Sequence, residues 1–265
     1  MPEGHTIHRL ARDQRPLFVG KKVRISTIME RFADSAALLD GRRLAGIDAH
    51  GKHLFYDFGD ELFLHVHLGL YGRVRSGQEP APEPVGALRM RMETKTVWLD
   101  LRGPAACDVI APEERDAILR RLGPDPLRPD ADPDRAYARI AKSRVSLAQL
   151  FMDQSVIAGI GNIYRAEILY RHAIDPFAPG TSLDRTVFDA AWADLAKLMR
   201  AGVRAGRIVT TDPADRPRAS GRVSRGDSFY VYHRTGEACR RCGATVERAL
   251  VAARTLYYCP REQRS

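Results

Sequence analysis

Residues 122–133 read Leu122-Gly-Pro-Asp-Pro-Leu-Arg-Pro-Asp-Ala-Asp-Pro133, and the pattern of the chain changes across them. Proline and aspartate at this density favour turns and extended backbone, as in segments that join domains. Before this linker, apolar residues mostly recur at every second position; after it, they recur with the 3.6-residue period of helices. The sequence therefore predicts two domains of different architecture, the first of them residues 1–121.

The first domain is predicted to be a β-sandwich with one helix packed against it. Residues 4–18 place apolar side chains at helical spacing, and Gly20 follows them. Short alternating segments with glycine and aspartate turns are typical of a sandwich or barrel. These strands are expected at residues 22–28, 44–49, 53–58, 62–68, 88–93, 98–101 and 107–110. A short helix at residues 113–121 ends the domain.

After the linker the chain is predicted to be helical, within a domain that spans residues 134–228. Helical spacing covers residues 134–142, 146–154, 160–172 and 184–205. Residues 207–228 are rich in Arg, Ser, Gly and Asp and poor in apolar residues, so we expect a long mobile loop there. Residues 229–265 return to strand composition between cysteines. The predicted fold class is α+β.

Composition limits the class of protein. The 265 residues are 44% hydrophobic, which is enough for a core, and no run of 18 apolar residues suggests a membrane span. Acidic Glu3 and the absence of a long apolar stretch after it argue against a signal peptide. Four cysteines in this length favour a reducing compartment over a disulfide scaffold. We expect a cytoplasmic, nucleoid-associated protein without membrane contact.

The positive charge is concentrated at the end of the chain. The net charge is +9, and residues 201–265 contribute +7 of it through 13 Arg, no Lys and 6 Asp or Glu. Such a patch attracts a polyanion by counterion release, and arginine favours bidentate phosphate contacts. A solvated basic face without a partner explains the charge run equally well.

Met1-Pro2-Glu3 could carry chemistry. Removal of Met1 before the small residue would leave a secondary amine at Pro2. The pKa of an α-amino group lies near 7.7–8, against about 10.4 for lysine, so roughly a tenth is neutral at pH 7. A neutral amine can attack a sugar C1′ and form a Schiff base, and Glu3 could move the protons of that step. Alone, this common start is more often without function.

The cysteines near the end of the chain resemble a metal site. Cys239-Arg-Arg-Cys242 is followed after sixteen residues by Cys259-Pro-Arg-Glu262, so Glu262 stands where a second C-x-x-C knuckle would have its last cysteine. Glu262 could complete a Cys3Glu site, His233 could do so instead, or the hairpin could be held by its core without metal. Cys107, in an apparent strand, is interpreted as a core residue.

Three further motifs lie at predicted turns. Glycines in Gly159-Ile-Gly-Asn-Ile-Tyr164 precede a helix whose free N–H groups could bind phosphate, with Asn162 as an extra donor. Lys52 lies at the tip of a predicted hairpin, and Leu70-Tyr71 at a loop tip could wedge into a base stack. Each motif alone has an ordinary structural explanation: helix packing, an inert surface lysine, or closure of a core edge.

Taken together and in this order, these motifs resemble the formamidopyrimidine-DNA glycosylase/endonuclease VIII family of base-excision repair enzymes, over essentially the whole chain. The opening Pro2-Glu-Gly-His-Thr-Ile-His-Arg-Leu-Ala11 and the Leu68-Gly-Leu-Tyr-Gly72 loop are more similar to the endonuclease VIII branch, in particular its actinobacterial type. The second Pro-Glu pair usual in the formamidopyrimidine branch is absent. The resemblance implies a β-sandwich flanked by helices, then a helix–two-turn–helix domain with a zinc-finger-like hairpin, with DNA across the cleft between domains.

The resemblance also implies roles for individual residues. Pro2 would be the nucleophile at C1′ and Glu3 the general acid and base at the sugar. Lys52 and Arg254 would contact phosphates beside the lesion and assist catalysis, and Asn162 would hold phosphate. Leu70 and Tyr71 would fill the gap that the extruded nucleotide leaves in the base stack. One structural Zn²⁺ per chain would be bound by Cys239, Cys242, Cys259 and Glu262, which takes the place of the usual fourth cysteine.

The leading hypothesis is a bifunctional DNA glycosylase/AP lyase that removes oxidised bases, with pyrimidines expected, by a Schiff base and β,δ-elimination. Its partner would be damaged double-stranded DNA, and single-stranded or bubble DNA is a further possible substrate. We expect the protein to be a monomer. Three alternatives remain: a protein that binds DNA lesions without catalysis, a glycosylase that prefers oxidised purines, and a zinc-ribbon transcription factor. The strand-rich first domain and the Lys52 turn disfavour the last.

Overall fold

The computed structural model describes residues 2–263, so Met1 and its removal lie outside the described residues. The chain divides into two compact units, Met1–Arg121 and Leu122–Ser265. The boundary lies at the start of the predicted linker, and residues 122–126 are buried within the second unit. For example, the Gly123 amide donates to the Gln154 carbonyl at 2.8 Å. The Pro/Asp-rich segment is therefore part of the second unit's own packing.

The first unit is a sandwich of two antiparallel four-stranded sheets. One core joins apolar side chains of both sheets and of the first helix, including Ile7, Tyr56 and Met90. The elements of this unit are α1 (Gly4–Phe18), β1 (Arg24–Ser26), α2 (Ala33–Leu39), β2 (Gly46–His50), β3 (His53–Asp57), β4 (Phe63–His67), β5 (Arg73–Gln78), β6 (Leu88–Glu93), β7 (Val97–Arg102), β8 (Ala106–Ile110) and α3 (Pro112–Arg121). The strands of the two sheets are ordered β1-β6-β7-β5 and β2-β3-β4-β8.

The second unit is helical and ends in a two-stranded hairpin. Its core surrounds the buried helix Asn162–Arg171, with Phe151, Phe188 and Leu256 contributed by other segments. The elements are α4 (Pro133–Ile140), α5 (Leu147–Leu150), α6 (Asn162–Arg171), α7 (Arg185–Ala205), β9 (Glu247–Val251) and β10 (Arg254–Tyr258). None of the helices formed by residues 2–263 combines the length and apolar character that a membrane crossing requires.

The predicted α+β class, with a sandwich followed by helices and a terminal hairpin, is confirmed. Three details of the prediction were wrong. The sandwich domain contains a helix, α2, and a strand, β5, that were not predicted. The helix predicted at residues 146–154 is only one turn, α5, because turns replace helix after Leu150. Cys107 is 2% exposed in the sandwich core, as predicted.

Candidate active site and metal centre

Pro2 and Glu3 lie directly before helix α1. The half-buried Pro2 precedes Glu3, which is 0% exposed, and the Glu3 carbonyl accepts a 2.8 Å hydrogen bond from the Thr6 amide that starts the helix. Carboxylates are almost never fully buried without a structural or chemical role. The fold therefore places a buried carboxyl group next to the residue predicted to be the nucleophile.

Lys52 lies in the two-residue turn between β2 and β3, where His50 and His53 are paired across the hairpin. Gly51, the other turn residue, has φ of +58°, a left-handed conformation that glycine adopts without strain. The Lys52 side chain is half-buried, and its charge helps to lower the pKa of His67 on β4, after burial of that histidine. The turn thus holds the Lys52 ammonium above the end of the sheet, close to His67.

A histidine pair that the sequence analysis did not single out lies beside this turn. His53 Nδ1 and His65 Nε2 are 2.9 Å apart, and their rings stack with centroids 5.1 Å apart. Burial lowers the pKa of His53 to about 3, aided by the charge of His65, and burial lowers the pKa of His65 to about 4. Both rings are therefore neutral at pH 7, and one donates to the other. In the sequence, the alternating His65-Val-His67 of a predicted strand was the one sign that histidines share a face of the sheet there.

This histidine pair predicts acid sensitivity. Both folded pKa values lie below the ordinary value of 6.5, so the unfolded chain binds protons first as the pH falls. Stability is thus full above about pH 6.5 and is lost toward pH 4, by on the order of 3 kcal/mol for the pair at pH 5. Urea unfolding at pH 8 and pH 5 should show a smaller loss in a His53→Gln/His65→Gln variant than in wild type. His8→Gln is the control, and an unchanged pH dependence in the double variant would contradict the assignment.

The Leu68–Gly72 loop presents apolar side chains to solvent. Leu70 is 44% exposed and Tyr71 is 82% exposed. The Gly72 amide donates to the Leu68 carbonyl at 3.0 Å, and a Cβ on Gly72 would lie 2.3 Å from that oxygen, so only glycine closes the turn. The loop is a tight projection of the kind that can enter a base stack.

Asn162 begins α6 and is bonded to the terminal hairpin. Its side-chain Nδ2 donates to the Thr255 carbonyl at 2.8 Å, and its Oδ1 accepts a short hydrogen bond from the Arg165 guanidinium. Arg165, which is 0% exposed, also donates to the Thr255 carbonyl at 3.2 Å. An amide nitrogen carries two hydrogens, so Asn162 can still offer one to phosphate. The network fixes the backbone next to Arg254 against the start of α6.

Glu167 on α6 is a buried acid that the sequence analysis missed. Its carboxylate accepts three backbone N–H bonds of 2.8–2.9 Å from residues 230–232, and the Thr210 hydroxyl also donates to it. Thr210 in turn donates its amide to the Ser228 carbonyl at 2.9 Å. The segment 207–228, predicted to be a mobile loop, is therefore bonded to the helix near both of its ends. A lone acid within an apolar helical stretch was the signal for this contact.

Arg254 lies at the tip of the β9–β10 hairpin and is exposed. The two turn residues, Ala252 and Ala253, have φ of +48° and +59°, which is the geometry of a two-residue hairpin turn usually made by Asn and Gly. The hairpin thus presents the Arg254 side chain at its end, while Thr255 next to it is held by α6.

Three thiols converge at the base of the hairpin. The Sγ atoms of Cys239, Cys242 and Cys259 all lie within 4.8 Å of one another, with Cys242 and Cys259 at 3.5 Å. Tetrahedral zinc with bonds of about 2.3 Å places sulfur ligands roughly 3.8 Å apart, so these three fit the ion. The Tyr170 hydroxyl lies 3.0 Å from the Cys239 sulfur, an outer contact that can orient a ligand.

His233 and Glu262 are the two candidates for a fourth metal ligand beside the three cysteines, and the structure distinguishes between them. Within residues 2–263, neither His233 nor Glu262 belongs to the converging group. The His233 Nδ1 lies 3.4 Å from the Tyr257 hydroxyl, whereas Glu262 acts on the Cys242 thiol and helps to raise the pKa of that thiol, after burial. A small hydrophobic cluster that includes Tyr230, Val246 and Cys259 also supports the hairpin. Of the two candidates, Glu262 is the one that acts on the pKa of a thiol of the cluster.

Three family models match the chain in order. Residues 1–107 match the formamidopyrimidine-DNA glycosylase N-terminal domain, and residues 122–213 match the H2TH domain of the same glycosylase. Residues 236–261 match a zinc finger found in FPG and IleRS. The three matches include Pro2, Lys52, Asn162 and Arg254, which lie on the elements described above.

Curated relatives and solved structures agree with these models. The chain is 46% identical over 274 residues to Endonuclease 8 1 of Mycobacterium tuberculosis, covering 98% of each chain. It is 33% identical over 277 residues to the formamidopyrimidine-DNA glycosylase of Geobacillus kaustophilus, covering 100% of each. Its fold matches the Lactococcus lactis Fpg, solved with DNA containing an abasic site, with a TM-score of 0.82 and 23% identity over 99% of this chain and 100% of that one.

Proposed function

The chain belongs to the formamidopyrimidine-DNA glycosylase/endonuclease VIII family, and on that premise we propose that it is a bifunctional DNA glycosylase and AP lyase for oxidised pyrimidines. The observation that carries the proposal is Pro2 beside the wholly buried carboxyl group of Glu3, at the start of a domain that matches the family's N-terminal model. The 46% identity to a protein named Endonuclease 8 supports a pyrimidine preference over the purine alternative.

The proposed chemistry begins at the nitrogen of Pro2, once Met1 is removed. The secondary amine attacks C1′ of the damaged nucleoside, the glycosidic bond breaks, and the base leaves with a proton. Glu3 supplies and accepts the protons at the sugar as the ring opens to an iminium. The reaction thus links Pro2 to C1′ by a covalent bond while the base is released.

The iminium then makes strand cleavage possible. It withdraws electrons from C1′, so a proton can be removed from C2′, and the electron pair expels the 3′ phosphate by β-elimination. A second elimination expels the 5′ phosphate and leaves the sugar on the enzyme until water hydrolyses the imine. No step requires a metal ion, so the ion at the three cysteines would be structural.

Access to C1′ requires that the nucleotide leave the helix, at a cost of a few kcal/mol. We propose that the exposed Leu70 and Tyr71 fill the resulting gap and offset that cost. Phosphates beside the lesion would be held by Lys52, by the N-terminus of α6 with Asn162, and by Arg254. Further exposed arginines add long-range attraction for DNA: Arg218, Arg222, Arg225 and Arg248.

The substrate proposal is tested with a panel of duplexes that carry thymine glycol, 5-hydroxyuracil, dihydrouracil, 8-oxoguanine or an abasic site. We expect excision of the three pyrimidine lesions to be faster than that of 8-oxoguanine, with incision at the abasic site. Single-turnover rates on gels provide the measurement. Faster release of 8-oxoguanine would favour the purine alternative, and binding without incision of any duplex would favour the non-catalytic alternative.

For the metal we propose one Zn²⁺ per chain, bound by Cys239, Cys242, Cys259 and Glu262. A carboxylate is a weaker match to zinc than a fourth thiolate in structural sites. Elemental analysis should therefore give about one zinc per wild-type chain, and Glu262→Cys should keep its zinc at about tenfold higher chelator concentration. Glu262→Gln should lose zinc more readily than wild type.

Cys107→Ala, which removes a buried thiol outside the cluster, is the matched control for the zinc measurements. Equal zinc retention in the wild type and in the two Glu262 variants would exclude Glu262 as a ligand. A folded, active wild-type preparation with almost no zinc would show that the hydrophobic cluster alone holds the hairpin.

A further inference from the structure

Arg89 is a buried cation without a partner for its inner nitrogen. The residue is 8% exposed, and its Nε has no hydrogen-bond partner within residues 2–263. Two carboxylates of the same sheet bind other arginines: Asp100 binds Arg91 at 2.7 Å and Arg102 at 2.9 Å, and Glu93 binds Arg24 at 2.8 Å. A buried charge without compensation destabilises the folded protein, so its presence points to an external anion.

Arg89 lies at an irregular position of the β6–β7 pairing. Leu88 pairs with Arg102 and Met90 with Leu101, so Arg89 is the extra residue of a β-bulge. Bulges re-aim a side chain and recur next to functional sites. Burial raises the pKa of Cys107, on the opposite sheet, to about 12, and the positive charge of Arg89 acts against this rise.

This location is at the same end of the sandwich as the Leu68–Gly72 loop. Cys107 pairs with Val66 on β4, which leads directly into that loop. Ala105, directly before β8, also packs on the loop, since a Cβ on Gly69 would lie 2.7 Å from the Cβ of Ala105. The Gly103 amide donates to the Ala87 carbonyl at 3.3 Å, which ties the same connection to the residues before Arg89.

We propose that Arg89 binds a backbone phosphate of the DNA next to the Leu70-Tyr71 wedge, an inference that rests on the proposed function. A guanidinium fits phosphate oxygens in bidentate geometry, and the phosphate supplies the acceptor that the Arg89 Nε lacks among residues 2–263. The bulge aims the side chain, and the rigid sheet holds it in place before DNA binds. Arg89 thus fixes the backbone of the duplex at the point where the wedge separates the bases.

The test compares Arg89→Met with wild type on a duplex that carries a tetrahydrofuran abasic analogue, which cannot be cleaved through a Schiff base. Fluorescence anisotropy over a series of salt concentrations gives affinity and salt slope. We expect binding to weaken roughly tenfold and the salt slope to fall by about one. Because methionine removes an unpaired buried charge, we also expect Tm to rise by about 2–4 °C. Arg31→Met, at an exposed turn residue before α2, is the charge-matched control.

The outcomes separate this inference from the proposed function. A less stable or unfolded Arg89→Met protein would show that the guanidinium is structural and would overturn the inference, as would a stable variant with unchanged affinity and slope. A loss of affinity that depends on the base opposite the lesion, with an unchanged salt slope, would also overturn the inference. Arg89→Lys should keep the slope of wild type. Borohydride trapping of wild type on a natural abasic site tests the proposed function independently, whatever Arg89 does.

Discussion

A protein whose Pro2 nitrogen is blocked by a permanent N-terminal extension is expected to form no borohydride-trapped adduct with an abasic duplex. The extension turns the secondary amine into a tertiary amide, which has no nucleophilic lone pair. Loss of covalent catalysis should lower the single-turnover incision rate by at least about a thousandfold. Trapping on denaturing gels and incision rates are the measurements.

Two further proteins make this prediction specific. The same tag at the C-terminus should leave trapping unchanged, since it leaves the Pro2 amine accessible. Pro2→Ala, after Met1 removal, keeps a primary α-amine with a pKa near 8 and should keep part of the trapping. If the blocked protein incises the duplex at the rate of wild type, the nucleophile lies elsewhere.

Glu3→Gln is expected to reduce base excision by about 10²–10⁴-fold, the usual contribution of general acid–base catalysis. The substitution preserves the shape of a side chain that is 0% exposed, so packing before α1 should change little. On a preformed abasic site, where no base must leave, we expect a smaller reduction in borohydride trapping. Single-turnover excision of dihydrouracil and trapping at an abasic site give the two numbers.

The comparison of the two substrates is what tests the role of Glu3. Equal losses on both would place Glu3 in DNA binding or in folding, and a thermal unfolding curve would separate these two explanations. Excision at the rate of wild type in Glu3→Gln would remove Glu3 from the mechanism altogether.

The elements with strong apolar patterns were predictable from the sequence. The strand β2 alternates between buried and half-buried residues, β3 and β4 are buried at their three central residues, and α1 has buried residues at helical spacing. The helix α2 is too short to show a period, with Ala36 and Leu39 as its buried residues. The strand β5 escaped prediction because it is mostly exposed and carries Arg73 and Arg75.

The candidate site was predictable where chemistry is tied to residue type and spacing. The Pro2-Glu3 start and the cysteine spacing could be recognised in the sequence, and the three thiols do converge. Contacts between residues far apart in the chain could not be recognised. Asn162 and Thr255, or Glu167 and residues 230–232, meet only through packing of α6 against later segments. Arg89 lies in a segment predicted to be a strand, and the pattern of that segment shows neither the bulge at Arg89 nor the burial of all six residues of β6.

The central claim is that the Pro2 nitrogen forms the covalent bond to DNA. The most direct test is mass spectrometry of the borohydride-reduced complex with an abasic oligonucleotide, after digestion of protein and DNA. We predict a peptide that begins at Pro2, lacks Met1, and carries the reduced sugar on the proline nitrogen. A sugar attached to Lys52, or an adduct on a chain that still carries Met1, would contradict the account.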